Sequence, residues 1–255
     1  MAVIIKTKEE IEILREGGKR LGTILAKVAE KVVPGVSATE LDRYAEELIR
    51  EEGDEPAFLH YTPEGISYPF PASLCVSVNN EIVHGIPDER LLKNGDIVSI
   101  DLGLKHRGLY TDHAITVAVG NVPKSSLELM YRTREALYVG ISAARGGATT
   151  GDVGFAIEQY IKDFGYGIVR GLSGHGVGRA IHEDPFIPNY GKRGKGELLR
   201  PGMVVALEPM ITLGTWEAVP DANEYLYKTA DGSRSAHFEH TILITEGEAE
   251  ILTAV

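Results

Sequence analysis

The sequence predicts an α+β protein made of two pseudo-symmetric halves packed into a single domain spanning residues 1–255. Three observations carry this expectation. Helix-spaced apolar residues fill the first 53 positions, and the second of these segments returns 112 residues later, Gly35 matching Gly147 and Gly53 matching Gly165. Apolar, strand-like runs are interrupted by acids, at Asp101 and Asp112 and again at Glu208 and Glu239. A His-x-x-Pro precedes each acidic pair, His84 to Pro87 and His182 to Pro185, so the motif order is the same in both parts. The repeat covers about 35–120 and 147–250.

Taken in order, Ile11, Ile13, Leu14, Leu21, Ile24, Leu25 and Val28 predict a helix from Lys8 to about Val32, which Val33-Pro34-Gly35 ends. A second helix starts near Ser37 or Thr39 and carries Leu41, Tyr44, Leu48 and Ile49 to a stop at Gly53. The two read as an antiparallel pair and as scaffold. Residues 54–73, rich in Pro, Gly and aromatics, predict an irregular loop covering something apolar. Leu74 to Val78 reads as a short strand, and His84 sits in the turn Val83-His84-Gly85-Ile86-Pro87. The stretch Asn94 to Val117 reads as a hairpin turning near His106 and Arg107, which puts Asp101 and Asp112 roughly opposite each other. Leu127 to Ala144 predicts a third helix, and a fourth repeats the second, Leu41 matching Val153 and Ile49 matching Ile161.

Composition excludes several classes. The formal net charge is −11, from 37 acids against 26 Lys and Arg, which argues against nucleic acid as the main partner. No stretch approaches the roughly 20 apolar residues of a membrane helix. The start lacks the pattern of a signal peptide. With the single cysteine, Cys75, this predicts a cytoplasmic protein without an internal disulfide.

Two carboxylates sharing a small volume repel, and burial adds to the cost unless a cation or a proton compensates. A metal ion is the simplest compensation. Glu208, in the apolar run Val204 to Met210, and Glu239, ahead of another apolar strand, add two more acids. His175 lies in Gly174-His175-Gly176-Val177-Gly178, whose spacing is not that of a dinucleotide-binding loop. Four carboxylates and one imidazole suit Mn, Fe, Co or Zn, and two ions explain four acids better than one.

The motif set Val83-His84-Gly85-Ile86-Pro87, Asp101, Thr111-Asp112, Gly174-His175-Gly176, His182-Glu183-Asp184-Pro185, Pro201-Gly202-Met203, Glu208-Pro209-Met210 and Glu239-His240-Thr241 resembles the type I methionine aminopeptidases of the pita-bread fold. That resemblance implies that Asp112 and Glu239 bridge two divalent ions, that Asp101 completes one, and that His175 and Glu208 complete the other. It implies a hydroxide bound to the dinuclear site as nucleophile and Glu208 as proton shuttle. His182 would hydrogen-bond the scissile carbonyl and His84 would contact the peptide near the new amine. Phe70, Cys75 and Tyr225 would line the methionine pocket, Tyr225 standing for a more usual Trp and Ile181 where Phe is common.

The implied substrate is the initiator methionine of peptides and of nascent chains near the ribosome, and the implied state a monomer. The start Met1-Ala2 is itself of the kind such enzymes trim. An Xaa-Pro aminopeptidase or prolidase is the nearest alternative, but these usually carry an extra N-terminal domain, and only 100 residues precede Asp101. A metal-free binding protein of the same fold should have lost ligands. Glu208 and Glu239 are 239 − 208 = 31 residues apart, too close for the insertion that marks type II enzymes.

Overall fold

Three helices begin with the same device. In the computed structural model, which describes residues 3–255 and so leaves Met1 and Ala2 outside, α1 (Lys8–Glu30), α2 (Ala38–Glu51) and α4 (Thr150–Ile161) each open on a capping box. The pairs are Thr7 with Glu10, Ser37 with Glu40 and Thr149 with Asp152, each hydroxyl accepting from the N–H three residues on while the acid accepts from the cap N–H. Between them, α3 (Lys124–Ala143) starts directly after Pro123, about one turn ahead of the expected Leu127. A proline at that point needs no N–H partner, which fixes the earlier start.

The strands that matter are β1 (Leu74–Val78), β2 (Ile97–His106), β3 (Leu109–Ala118), β4 (Gly174–Gly176), β5 (Glu183–Ile187), β6 (Val204–Leu207) and β7 (Glu239–Leu243). They belong to one nine-stranded sheet in the order Glu55–Pro56, β2, β3, β7, β6, β4, β5, with β1 also on β2 and Glu250–Ile251 on β7. The pairings are antiparallel. Alternation along each strand sorts the side chains. Val98, Ile100, Leu102 and Leu104 of β2 pack with Leu21, Leu25, Leu41 and Ile49 of α1 and α2. Val205, Leu207 and Ile242 pack with Leu129 and Leu137 of α3 and Ile157 of α4. Each such fully buried Leu or Ile contributes about 1.5–3 kcal/mol. The helical layer takes one face of the sheet and leaves the other for the acids.

The β2–β3 hairpin turns at Arg107 and Gly108, both at positive φ (48° and 85°), as a two-residue turn that follows the strand twist requires. The turn therefore lies one residue later than expected. Asp101 faces Ala114, and Asp112 faces Gly103, so the two acids are diagonal neighbours on one face and not opposite partners. Gly103 has a second use: a Cβ there would lie 2.7 Å from the Phe58 ring and 2.8 Å from Ala57. Without it, the aromatic loop that follows α2 could not close over the acids.

Candidate active site

Five consecutive strands of the sheet each deliver one metal-type side chain to the same face. Asp101 comes from β2, Asp112 from β3, Glu239 from β7, Glu208 from the residue just past β6, and His175 from β4. Glu208 thus follows its strand instead of lying within it as the apolar run suggests. Register explains the spacing. Asp101, Ala114 and Glu239 lie in one cross-strand row, while Thr241, Ala206 and His175 lie in the next. Asp112 joins the second row through Thr241, whose hydroxyl accepts from the Asp112 N–H (2.9 Å) and donates to its carbonyl (2.7 Å). Small residues alternate with ligating ones, so the long side chains converge without colliding.

Donor atoms of Asp112, His175 and Glu239 lie within 4.8 Å of one another. His175 Nδ1 donates to the Gly176 carbonyl (2.9 Å), which fixes the tautomer and leaves Nε2 as a lone-pair donor. That Nε2 stands 3.5 Å from Glu208 Oε1 and 3.9 Å from Asp112 Oδ2. Burial pushes the His175 imidazole down to about 4, so it is neutral at pH 7. Burial pushes the Asp101 carboxyl up to about 7, and it raises Asp112, Glu208 and Glu239 well above the ordinary range, their mutual repulsion adding to it. Asp101 Oδ1 and Glu239 Oε1 are buried without a hydrogen-bond partner. Crowded acids with orphaned oxygens around a neutral imidazole are a donor set that a divalent cation satisfies and that protein groups alone do not.

These side chains line a cleft enclosing about 540 Å³, its mouth included. The same cleft has apolar and aromatic walls from Phe58, Tyr61, Pro63, Phe70, Cys75 and Tyr225, and His84 and His182 also line it. All the residues singled out in the sequence as ligating, catalytic or pocket-lining therefore face this one space. Ile181 does not; it is buried in the same apolar cluster as Phe58, Phe70, Cys75 and Tyr225 without lining the cleft. Cys75 faces Asp101 across β1 and β2, and burial together with the nearby acids keeps its thiol protonated.

His182 shares a 2.9 Å hydrogen bond between Nδ1 and the Tyr61 hydroxyl, and its ring centroid is 4.5 Å from that of His175. Burial pushes it down to about 3. His84 adopts a positive φ of 60°, and burial lowers its imidazole too, while a hydrogen bond to the Tyr225 main chain opposes that shift. The Tyr225 hydroxyl donates to the main-chain oxygens of Tyr68 (2.5 Å) and Tyr61 (3.4 Å), pinning the aromatic loop.

Sequence reasoning missed two residues here. Tyr61 gave no local signal, since its partner His182 lies 121 positions away. His237 is fully buried with both ring nitrogens unpartnered, its Nε2 3.8 Å from Glu208 Oε2 and 3.9 Å from Glu239 Oε2. Its position two residues before Glu239 is the signal that could have found it.

A sheet face carrying clustered carboxylates and an imidazole in a cleft with apolar walls defines a metal-dependent hydrolase. Residues 12–246 match the pattern of metallopeptidase family M24, and the chain belongs to that family. It is similar to the methionine aminopeptidase of Clostridium perfringens, with 43% identity covering 99% of both chains. The structure is similar to that of the methionine aminopeptidase of Thermotoga maritima, with a TM-score of 0.95, 42% identity and all of both chains covered. The likeness to the prolidase of Pyrococcus furiosus is weaker, with a TM-score of 0.80 and 27% identity over 99% of this chain and 66% of that one.

Proposed function

We propose that the protein is a cytoplasmic methionine aminopeptidase that removes the initiator methionine from peptides and nascent chains near the ribosome. In this reading residues 1–255 form one monomeric metallopeptidase domain with an internal pseudo-repeat, and Asp101, Asp112, His175, Glu208 and Glu239 hold two divalent ions, Co, Mn, Fe or Zn. The observation that carries it is one cleft lined both by a cluster of metal donors and by the apolar and aromatic walls of Phe58, Phe70, Cys75 and Tyr225. The identity to methionine aminopeptidases along nearly the whole chain supports it further.

Bound there, divalent ions would supply Lewis acidity and lower the pKa of a coordinated water. The chain's own groups do the rest. The methionine side chain enters between Phe70, Cys75 and Tyr225, whose apolar surfaces exclude water. The substrate's free α-amine is drawn to the acid cluster. Glu208 takes a proton from the attacking water and delivers it to the departing amine. His182, placed beside His175, hydrogen-bonds the scissile carbonyl oxygen as negative charge develops on it. His84, which lines the same cleft, contacts the peptide near the new amine.

The test is release of free methionine from Met-Ala-Ser with each of Co, Mn, Fe and Zn, alongside an Ala-Pro peptide. Faster cleavage after Met supports the proposal, and the reverse preference would move the protein to the prolidase branch. Metal content of wild type against Glu239→Ala completes it: a wild type with neither metal nor peptidase activity would leave a binding protein of the same fold.

A further inference from the structure

The loop that presents His182 is held by a buried ion pair from the other end of the chain. Glu183 follows His182 directly, and its Oε2 lies 2.6 Å from Lys6 Nζ, both side chains being almost wholly buried. Its other oxygen, Oε1, accepts from the main-chain N–H groups of Arg179 and Ala180, the latter at 3.0 Å. One carboxylate therefore gathers residues 179, 180 and 183 around a single point, and Lys6 supplies the charge that makes its burial tolerable.

The segment bearing Lys6 is fixed in turn. The Lys6 N–H donates to the Gly202 carbonyl (2.8 Å), and the Lys6 side chain passes over Gly178, where any side chain would collide with it. On the surface, Arg179 pairs with Glu10, the acid of the α1 capping box (2.7 Å). The Gly178 carbonyl accepts from the Tyr110 N–H (2.7 Å), two residues from Asp112. The N-terminal segment, the His182 loop and the strand carrying a candidate ligand are thus mechanically joined.

We infer that Lys6 and Glu183 are positioning residues for His182: the buried pair sets the loop 177–183 so that the imidazole stands over the metal-donor cluster. Neither residue lines the cleft. The inference rests on the proposed role of His182 and adds the N-terminal segment to the machinery that places it. Loss of the pair shifts the ring, and a displacement of about 1 Å at such a group costs on the order of 100-fold in rate.

The experiment is a double-mutant cycle in the full chain loaded with Mn(II), with Met-Ala-Ser as substrate. Glu183→Gln and Lys6→Met are expected to lower kcat about 10- to 100-fold with KM within about twofold, and to shift the His182 ring resonances in NMR spectra of the metal-free protein, where no paramagnetic ion broadens them. In a His182→Ala background the same substitutions are expected to cost nothing further in kcat. Equal losses in both backgrounds, or unmoved His182 resonances, would overturn the inference. If Glu183→Gln does not fold, Lys6→Met with Glu183→Leu, an apolar exchange of the whole pair, carries the same cycle. If the wild type fails to cleave Met-Ala-Ser, the functional proposal falls, and the His182 resonances alone decide the positioning.

Discussion

Asp101 and Asp112 stand diagonally on one face of a single hairpin, both buried, and Asp101 Oδ1 has no hydrogen-bond partner. Two buried carboxylates this close repel unless a proton or a cation compensates them, so the metal-free site holds protons that the unfolded chain releases. Burial pushes Asp101 up to about 7, above an unfolded value of about 3.9. A raised acid pKa means the folded state binds the extra proton, so stability falls as pH rises from about 4 through about 7. In the presence of EDTA, the melting temperature is expected to drop across that window and Asp101→Asn to flatten the drop. Adding Mn(II) or Co(II) at neutral pH should raise it, since a ligand at 100 times its Kd adds about 2.7 kcal/mol. Differential scanning fluorimetry across pH, with and without metal, measures both.

His182 and Tyr61 separate orientation from chemistry. His182→Ala is expected to lower kcat on Met-Ala-Ser by about 10²- to 10³-fold, the usual cost of one donor at a developing oxyanion. Tyr61→Phe removes only the 2.9 Å bond to Nδ1 and leaves the ring packing, so a loss below about 10-fold is expected. Steady-state kinetics on both variants checks the order; an equal loss would mean that Tyr61 itself touches the reaction.

What the sequence disclosed, and what it hid, follows from range. Asp101, Asp112, Glu208 and Glu239 were legible because a carboxylate in an apolar run contradicts its surroundings, and a local contradiction shows in a string of letters. The helices were legible because burial of Leu14, Leu21, Leu25 and Val28 repeats at helical spacing. The diagonal register was not, because it depends on which two residues turn, and Arg107 with Gly108 displaced the turn by one position. Tyr61 with His182 and Lys6 with Glu183 pair across 121 and 177 positions, and no periodicity reports such contacts.

Tyr225 should affect binding more than turnover. Its hydroxyl bonds to Tyr68 and Tyr61 hold the aromatic loop, while its ring meets Phe70 edge-on at 5.1 Å. Tyr225→Phe keeps the ring and removes the bonds, worth about 1 kcal/mol net. A rise in KM of about fivefold with kcat nearly unchanged is expected, the signature of lost uniform binding. A fall in kcat with KM fixed would place Tyr225 with the reacting groups instead.

The N-terminal helix is seated on the C-terminal segment through glycine. A Cβ at Gly18 would lie 2.5 Å from the Leu252 carbonyl oxygen, a main-chain atom that cannot swing away. Gly18→Ala gains about 1 kcal/mol of helix propensity but incurs about 1–3 kcal/mol of overpacking. The second effect is expected to win, lowering the melting temperature by a few degrees, whereas Gly247→Ala, with open space around it, is expected to be neutral.

His237 sets stability against metal binding. Both its ring nitrogens are buried and unpartnered, and burial pushes the imidazole down to about 3, so in the metal-free protein it is a neutral, unsatisfied group. Each such unmade bond costs about 1–3 kcal/mol, and His237→Leu removes the polar atoms while keeping most of the volume. The metal-free variant is therefore expected to melt higher than wild type. Its Nε2 faces Glu208 at 3.8 Å and Glu239 at 3.9 Å, close enough that a small closure of the site lets it donate to either carboxylate. Loss of that orienting group is expected to weaken Mn(II) binding about 10- to 100-fold. Calorimetric titration of both proteins with Mn(II) measures the trade; a variant that melts higher and binds Mn(II) as tightly as wild type would reduce His237 to packing.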